Sequence, residues 1–297
     1  MSDFVQQQKS ICDFANSDSW VILSPIEQSI KRKIEAVGTP LKDWDIQINY
    51  GIKTGFNDAF IISTEKREEI LANCQSDKER EKTAELIRPI LRGRDIKRYG
   101  YVDNGLYLIN THNGIRGKLP RIDINDYPAV KAHLDQYWDR ISIRADKGDT
   151  PYNLRNCAYL EDFSRPKIIW KRIGSILRFS YDNRGSLGLD STCFAAGEHI
   201  EYLCCVLNSL MGHYLLKDSP KTGTGDLLVS VQAIEPASVP YDAQYDGRLS
   251  MLLGRQINDG TDATEKEIND IVFSLYGLSP SEREYVTSYV KQSQQSQ

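Results

Sequence analysis

The stretch Trp44-Asp-Ile-Gln-Ile-Asn-Tyr50-Gly-Ile-Lys-Thr-Gly-Phe-Asn-Asp-Ala-Phe-Ile-Ile62 decides the fold class. Trp44, Ile46, Ile48 and Tyr50 alternate with Asp45, Gln47 and Asn49, the period-two pattern of a half-buried strand. Gly51 and Gly55 bracket a turn, and Phe56–Ile62 resumes as a strand. The spacing predicts a hairpin with Lys53-Thr54-Gly55 at its tip.

Helices surround this β signal. Upstream, Ser24 reads as an N-cap, Pro25 as the first helical residue and Glu27 as the partner in a capping box. Ile26, Ile30, Ile34 and Val37 recur at helical spacing until Gly38 and Pro40 stop the run. Downstream, residues 65–88 are charged and helical up to Arg88-Pro89. Leu106–Ile109 is a short strand, and Asn125 or Asp126 caps a helix through Val130, Leu134 and Trp138. Lys167–Trp170 and Ile176–Tyr181, separated by Gly174, read as a second hairpin. Ile200–Leu216 is an apolar, buried helix with Leu203, Val206, Leu207, Leu210 and Leu215 inward. Residues 217–226 form a Gly/Thr/Lys loop, Leu227–Val231 a strand, and Pro236–Pro240 closes the mixed part. From 243 onward the pattern is helical, with Ile268, Ile271, Val272 and Leu275 at core spacing. Gly277 stops that helix and Ser279 caps the next. The expected fold is α/β in the broad sense, a mixed α+β chain. A mixed-sheet domain over residues 41–240 lies between a helical lead-in (1–40) and a helical C-terminal segment (241–297).

With 297 residues, 40% hydrophobic and 26% charged, the chain can bury a sizeable core without disulfides or metals, and its composition excludes a disordered polymer. No stretch approaches the ~20 apolar residues of a membrane span. The opening Met1-Ser-Asp-Phe-Val lacks a secretory signal's basic and apolar regions. A cytoplasmic protein with no membrane partner is therefore expected; the isolated chain is also expected to be a monomer. Cys12, Cys74, Cys157, Cys193, Cys204 and Cys205 have neither C-x-x-C nor zinc-ligand spacing, and read as reduced, mostly buried thiols. The net charge of −4 hides an asymmetry. Residues 88–184 carry 19 basic and 11 acidic residues, a balance of +8, and the remainder stands at −12. A basic middle between acidic ends suggests an anionic partner for the middle, or an unevenly solvated surface.

Catalytic motifs are missing. The sequence has no G-x-G-x-x-G, P-loop, G-x-S-x-G, H-E-x-x-H or zinc-deaminase signature. Lys221-Thr222-Gly223-Thr224-Gly225 imitates a phosphate loop, but its lysine precedes the glycines, so it reads as a flexible basic loop. The nearest approach to a metal-dependent nuclease site is Asp77 with Asp95-Ile96-Lys97; Asp95 fits better as the residue fixing a turn after Gly93. His112, His133, His199 and His213 lie far apart and read as surface or second-layer side chains. No catalytic, cofactor or metal-ligating residue is expected. What remains is a binding surface, in which basic residues interleave with turn formers and aromatics.

Four blocks then resemble a known family. They are Tyr50–Ile62, Leu86–Tyr99, Arg144–Arg155 followed by Arg165–Trp170, and Asp190–Phe194 with Leu207-Asn-Ser209. Glu267–Leu278 is similar to the helical tail found in the same enzymes. In order, over about residues 20–280, they resemble the TaqI-like C-terminal specificity domain, the target-recognition part of adenine-N6 DNA methyltransferases and of fused type II restriction-modification enzymes. The resemblance implies bacterial restriction-modification. This chain would read a short target in duplex DNA beside a methyltransferase domain or subunit that binds S-adenosylmethionine. The Asn-Pro-Pro-Tyr-type motif of that catalytic half is missing here, so this chain is not expected to methylate or cleave DNA alone.

The expected DNA-binding residues are Lys53, Thr54 and Asn57 at the hairpin tip, and Arg116 and Lys118 in the next loop. Arg144, Lys147 and Arg155 follow, then Lys171 and Arg172, and finally Lys221 and Thr222. The lysines would hold phosphates; the arginines, Asn57 and Thr54 would read bases. Phe60, Ile168, Trp170 and Phe194 read as core. Three other readings stand beside this one: a module like a type I restriction specificity subunit, a stand-alone metal-dependent nuclease, and a protein-interaction module using the acidic ends.

Overall fold

The structure, a computed structural model, describes residues 23–295; Cys12 and most of the lead-in lie outside them. α1 (Pro25–Val37) starts at the expected capping box, in which Ser24 accepts the Glu27 amide and the Glu27 carboxylate accepts the Ser24 amide. β1 (Thr39–Pro40) and β2 (Ile46–Tyr50) follow. A short α2 (Asn57–Phe60) leads into β3 (Ile61–Ser63). Next come α3 (Thr64–Ala72), α4 (Asp77–Leu86), β4 (Ile87–Leu91) and β5 (Leu106–Ile109). α5 (Pro128–Asp135) and α6 (Trp138–Ile141) precede β6 (Lys167–Lys171), β7 (Ile173–Gly174), β8 (Phe179–Asp182), β9 (Leu187–Gly188) and β10 (Thr192–Gly197). α7 (Ile200–Asn208), α8 (Leu210–Leu215), β11 (Leu227–Leu228), α9 (Val231–Ile234) and β12 (Ser238–Val239) lead to α10 (Ala243–Asp259), α11 (Asp262–Leu275) and α12 (Pro280–Gln295).

The central sheet is antiparallel, in the order β2-β10-β6-β8; a second sheet runs β3-β5-β4-β9, with β4 and β9 parallel. Period-two alternation on β6 and β10 explains how the layers stack. Ile168, Trp170, Cys193 and Ala195 face a core shared with α1, α7, α10, α11 and α12. Ile169, Phe194 and Ala196 face the opposite core, formed with the second sheet, α2 and α5. Both faces of β6 are buried, which is why Lys167–Trp170 reads as a nearly unbroken apolar run. Phe60, Ile168, Trp170 and Phe194 are core residues, as expected.

The sequence expectations need five corrections. The 44–62 hairpin does not form. β2 pairs with β10 and β3 with β5, because the Thr54 hydroxyl turns the chain locally. It accepts the Phe56 amide (3.2 Å) and donates to Asn57 Oδ1 (2.5 Å), so residue 57 starts a helical turn rather than a strand. The 65–88 helix is two helices, each capped by a serine (Ser63, Ser76), and Arg88-Pro89 lies in β4. Pro89 is tolerated because β9 pairs only with Ile90 and Leu91, leaving the edge beside Pro89 open. The 200–216 helix breaks at Ser209, whose hydroxyl accepts the Gly212 amide and starts α8. Neither Asn125 nor Asp126 caps α5, which begins at Pro128 and ends before Trp138. The strand at 227 stops after two residues, and Val231 opens α9.

Other expectations hold. β6 and β8 pair as a hairpin, and Gly277 adopts a positive φ before Ser279 accepts the Glu282 amide. Cys193, Cys204 and Cys205 are buried free thiols, while Cys74 and Cys157 are half-buried. Among the described residues no helix is long and apolar enough to cross a membrane. Lys167 and Asp182 form a fully buried ion pair across β6–β8. Tyr101 and Ser186 donate to the carboxylate, and the Lys167 ammonium also donates to the Phe163 carbonyl. Burial alone would raise the Asp182 pKa, but the Lys167 charge and these donors hold it below the ordinary carboxylate value.

Candidate nucleic-acid interface

One end of the central sheet gathers the candidate loops. β2 ends at Tyr50 and β6 at Lys171, where β10 begins at Thr192 and β8 at Phe179. The Gly51 amide donates to the Thr192 carbonyl and the Arg172 amide to the Ser191 carbonyl, each at 3.0 Å. A Cβ at Gly51 would sit 1.9 Å from the Leu189 carbonyl oxygen, so only glycine lets the 51–57 loop leave here.

Around Asp146 three of the expected residues meet. Its carboxylate binds the Lys53 ammonium (2.8 Å) and the Arg155 guanidinium (3.1 Å). The Lys53 hydrogen bond is the main cause holding the Asp146 carboxyl below its ordinary pKa. Lys147 is exposed and donates to the Ser142 carbonyl at 2.6 Å, and Asn57 is exposed at the start of α2. Two expectations fail. Arg144 and Thr54 are buried and cannot touch a base. The Arg144 guanidinium donates to the carbonyls of Thr54, Asp146, Pro151 and Asn153, and lies 4.4 Å from the Phe60 ring centroid. Burial lowers its pKa to about 10, still charged at neutral pH. It is the hub that shapes this surface rather than a reader on it.

Arg116 and Lys118 are exposed on the 112–121 loop, which turns at Gly114 and Gly117, both with positive φ. Lys118 pairs with Glu161. Asn113 ties this loop to the previous group: its carbonyl accepts the Asp149 amide (2.8 Å) and its amide donates to Asp149 and Asn156. Between the segments lies a cleft of about 850 Å³ lined by Arg116, Lys118, Arg121 and Asn156. His112 serves the loop from behind. Burial lowers its pKa, and its Nδ1 accepts the Gly114 amide.

Lys171, Arg172, Lys221 and Thr222 form the remaining group. β11 pairs with β7 and brings the 217–226 loop against the Lys171-Arg172 turn. No hydrogen bond or ion pair between described residues links this group to the 112–121 loop. The Lys171 stem runs between two glycines: a Cβ at Gly93 would lie 2.9 Å from its Cγ, and one at Gly174 would lie 3.6 Å from its Cδ. Thr222 is half-buried and bonded to Thr224. Sequence reasoning passed over two neighbours. Arg178 shares a shallow groove with Lys171, Gly93 and Ser175. Arg94 is exposed at the tip of the turn that Asp95 fixes, where the buried carboxylate accepts the Arg92 amide and guanidinium. The Arg92-Gly-Arg94 signal was visible in the block Leu86–Tyr99. Arg94, Lys171, Arg178 and Lys221 make no ion pair among the described residues, and at this sheet end they leave positive charge open to an anion. Arg116, on the separate 112–121 loop, is also without an ion pair among them.

The molecule is thus a mixed α+β domain presenting basic loops at one sheet end. Residues 88–229 match the model of the family described as the TaqI-like C-terminal specificity domain. The blocks Tyr50–Ile62 and Glu267–Leu278 fall outside that match. The fold is similar to that of the type IIL restriction-modification enzyme MmeI, solved in complex with DNA. The TM-score is 0.59 and the identity 10%, over 88% of this chain and 37% of that one. The type IIG restriction endonuclease BpuSI aligns with a TM-score of 0.41 and 12% identity, over 88% of this chain and 33% of that one. This chain therefore spans little more than a third of the length of these enzymes. Among curated proteins, none matches it in sequence.

Proposed function

We propose that this chain recognises a short sequence in duplex DNA as the specificity part of a bacterial type II restriction-modification system. Chemistry would come from an adenine-N6 methyltransferase domain or subunit that binds S-adenosylmethionine. The observation that carries this reading is the convergence of Lys53, Arg94, Lys171 and Arg178 at one sheet end, three of them without an ion pair among the described residues. Unpaired cations on rigid loops suit phosphates, and the amide and guanidinium groups of Asn57 and Arg116 suit base edges in the major groove. The family match over residues 88–229 supports the same reading.

In this reading the isolated chain is a non-catalytic cytoplasmic monomer. Selection from a random duplex pool tests it. Enrichment of one short sequence is expected, and retention of duplexes with no enriched sequence would contradict a specificity role.

A further inference from the structure

Beside the basic loops stands a side chain that neither the core nor the charge pattern explains. Ile143 is 79% exposed, the most exposed of the large hydrophobic residues among those described. It lies two residues past the end of α6 and precedes buried Arg144, whose four bonds to main-chain carbonyls fix the backbone beneath it. The Lys147 ammonium donates to the Ser142 carbonyl at 2.6 Å and so sits against the peptide that joins Ser142 to Ile143. The Asp146 carboxylate, three residues on, gathers Lys53 and Arg155. A branched aliphatic side chain is thus held out in water, with the Lys147 ammonium on its own peptide and the Asp146-bound Lys53 and Arg155 gathered three residues on.

We propose that Ile143 is an apolar wedge that enters the base stack of bound duplex DNA. Minor-groove and architectural proteins insert Ile, Leu, Met or Phe between base steps and hold the flanking phosphates with cations. Ile143 with the Lys147 ammonium on its own peptide follows that pairing of a hydrophobic tip and a flanking cation; Lys53 and Arg155 lie three residues on, held by Asp146. The cost of unstacking falls on the DNA, and an already unstacked site removes it. The wedge rests on the duplex-binding reading above, which does not itself require one.

The test compares an intact duplex with the same duplex carrying one abasic site, by fluorescence anisotropy with the 297-residue chain at about 50 mM salt, where phosphate contacts are strong. The wild type should prefer the abasic duplex by about tenfold or more, since unstacking a step costs a few kcal/mol. Ile143→Ala should level the two affinities and leave the intact duplex within about twofold, while Ile143→Leu keeps the preference. Lys171→Gln should weaken both duplexes equally. A wild type that binds both duplexes equally overturns the wedge and leaves duplex binding standing. A wild type that binds neither overturns both. Ile143→Ala that keeps the abasic preference also overturns the wedge, as does a variant unchanged on DNA that loses a methyltransferase partner; that last result would make Ile143 a protein contact.

Discussion

The Arg144 guanidinium donates to the main-chain carbonyl of Thr54, ninety residues away in sequence. This bond locks the loop after β2 to the loop after α6, and the same guanidinium closes the second loop on itself through Pro151 and Asn153. Both loops carry exposed cations, so one buried arginine sets the shape of the surface they form. Removing it strands several carbonyls. Arg144→Ala should lower unfolding stability by about 2–4 kcal/mol, the cost of unsatisfied buried polar groups. Urea denaturation measures this, and Lys147→Ala, which removes an exposed side chain, should leave stability within about 0.5 kcal/mol.

Asp146 has the opposite effect on binding, because its carboxylate occupies Lys53 and Arg155. Its pKa is held below the ordinary value, so the occupation persists through the neutral range. Asp146→Asn should tighten duplex binding, and each cation freed for a phosphate should steepen the log-affinity against log-salt slope by about 0.9. Anisotropy titrations at several salt concentrations read this directly.

Glu282 joins α1 to α12. It pairs with Lys33 at 2.6 Å and accepts from the Ser29 hydroxyl and the Ser279 amide. Burial raises its pKa, but these partners lower it further, to about 2. The sign follows from linkage: a carboxylate with a depressed folded-state pKa stabilises fully above its unfolded value and loses that contribution as pH falls toward the folded value. Glu282→Gln should cost about 1–3 kcal/mol at pH 7. That difference should shrink from about pH 5 downward and vanish near pH 2 in denaturation curves.

The Lys167–Asp182 pair makes a third stability test. Lys167→Met leaves a buried carboxylate without its cation and should cost about 3–5 kcal/mol. Replacing both residues with apolar ones of similar volume should recover much of that loss, because it removes both desolvation penalties. A double-mutant cycle separates the two.

Local signals in the sequence carried well. The Ser24–Glu27 capping box, the β6–β8 hairpin and the Ser279 cap all depend on neighbours within a few residues or on one short connection. The 44–62 hairpin failed because its partners are distant: β2 pairs with a strand about 140 residues away, and alternation says which face is buried but not which strand lies alongside. The binding surface was legible by composition and not by role. Exposed Lys171 and Arg116 and buried Arg144 look alike in sequence; only the carbonyl cluster around Arg144 distinguishes a hub from a reader. Arg94 and Arg178 were missed because the sheet-end geometry that places them beside Lys171 is a tertiary fact.

The central claim is that the sheet end built around Lys171 binds duplex DNA. The most direct measurement is the salt dependence of the chain's affinity for a mixed-sequence duplex between about 50 and 200 mM salt, for wild type and for Arg94→Gln/Lys171→Gln/Arg178→Gln. The triple variant should unfold at the wild-type denaturant concentration, bind far more weakly at low salt, and show a slope shallower by about 2–3, because each missing cation leaves one phosphate unneutralised. A folded triple variant with wild-type affinity and wild-type slope would contradict the account.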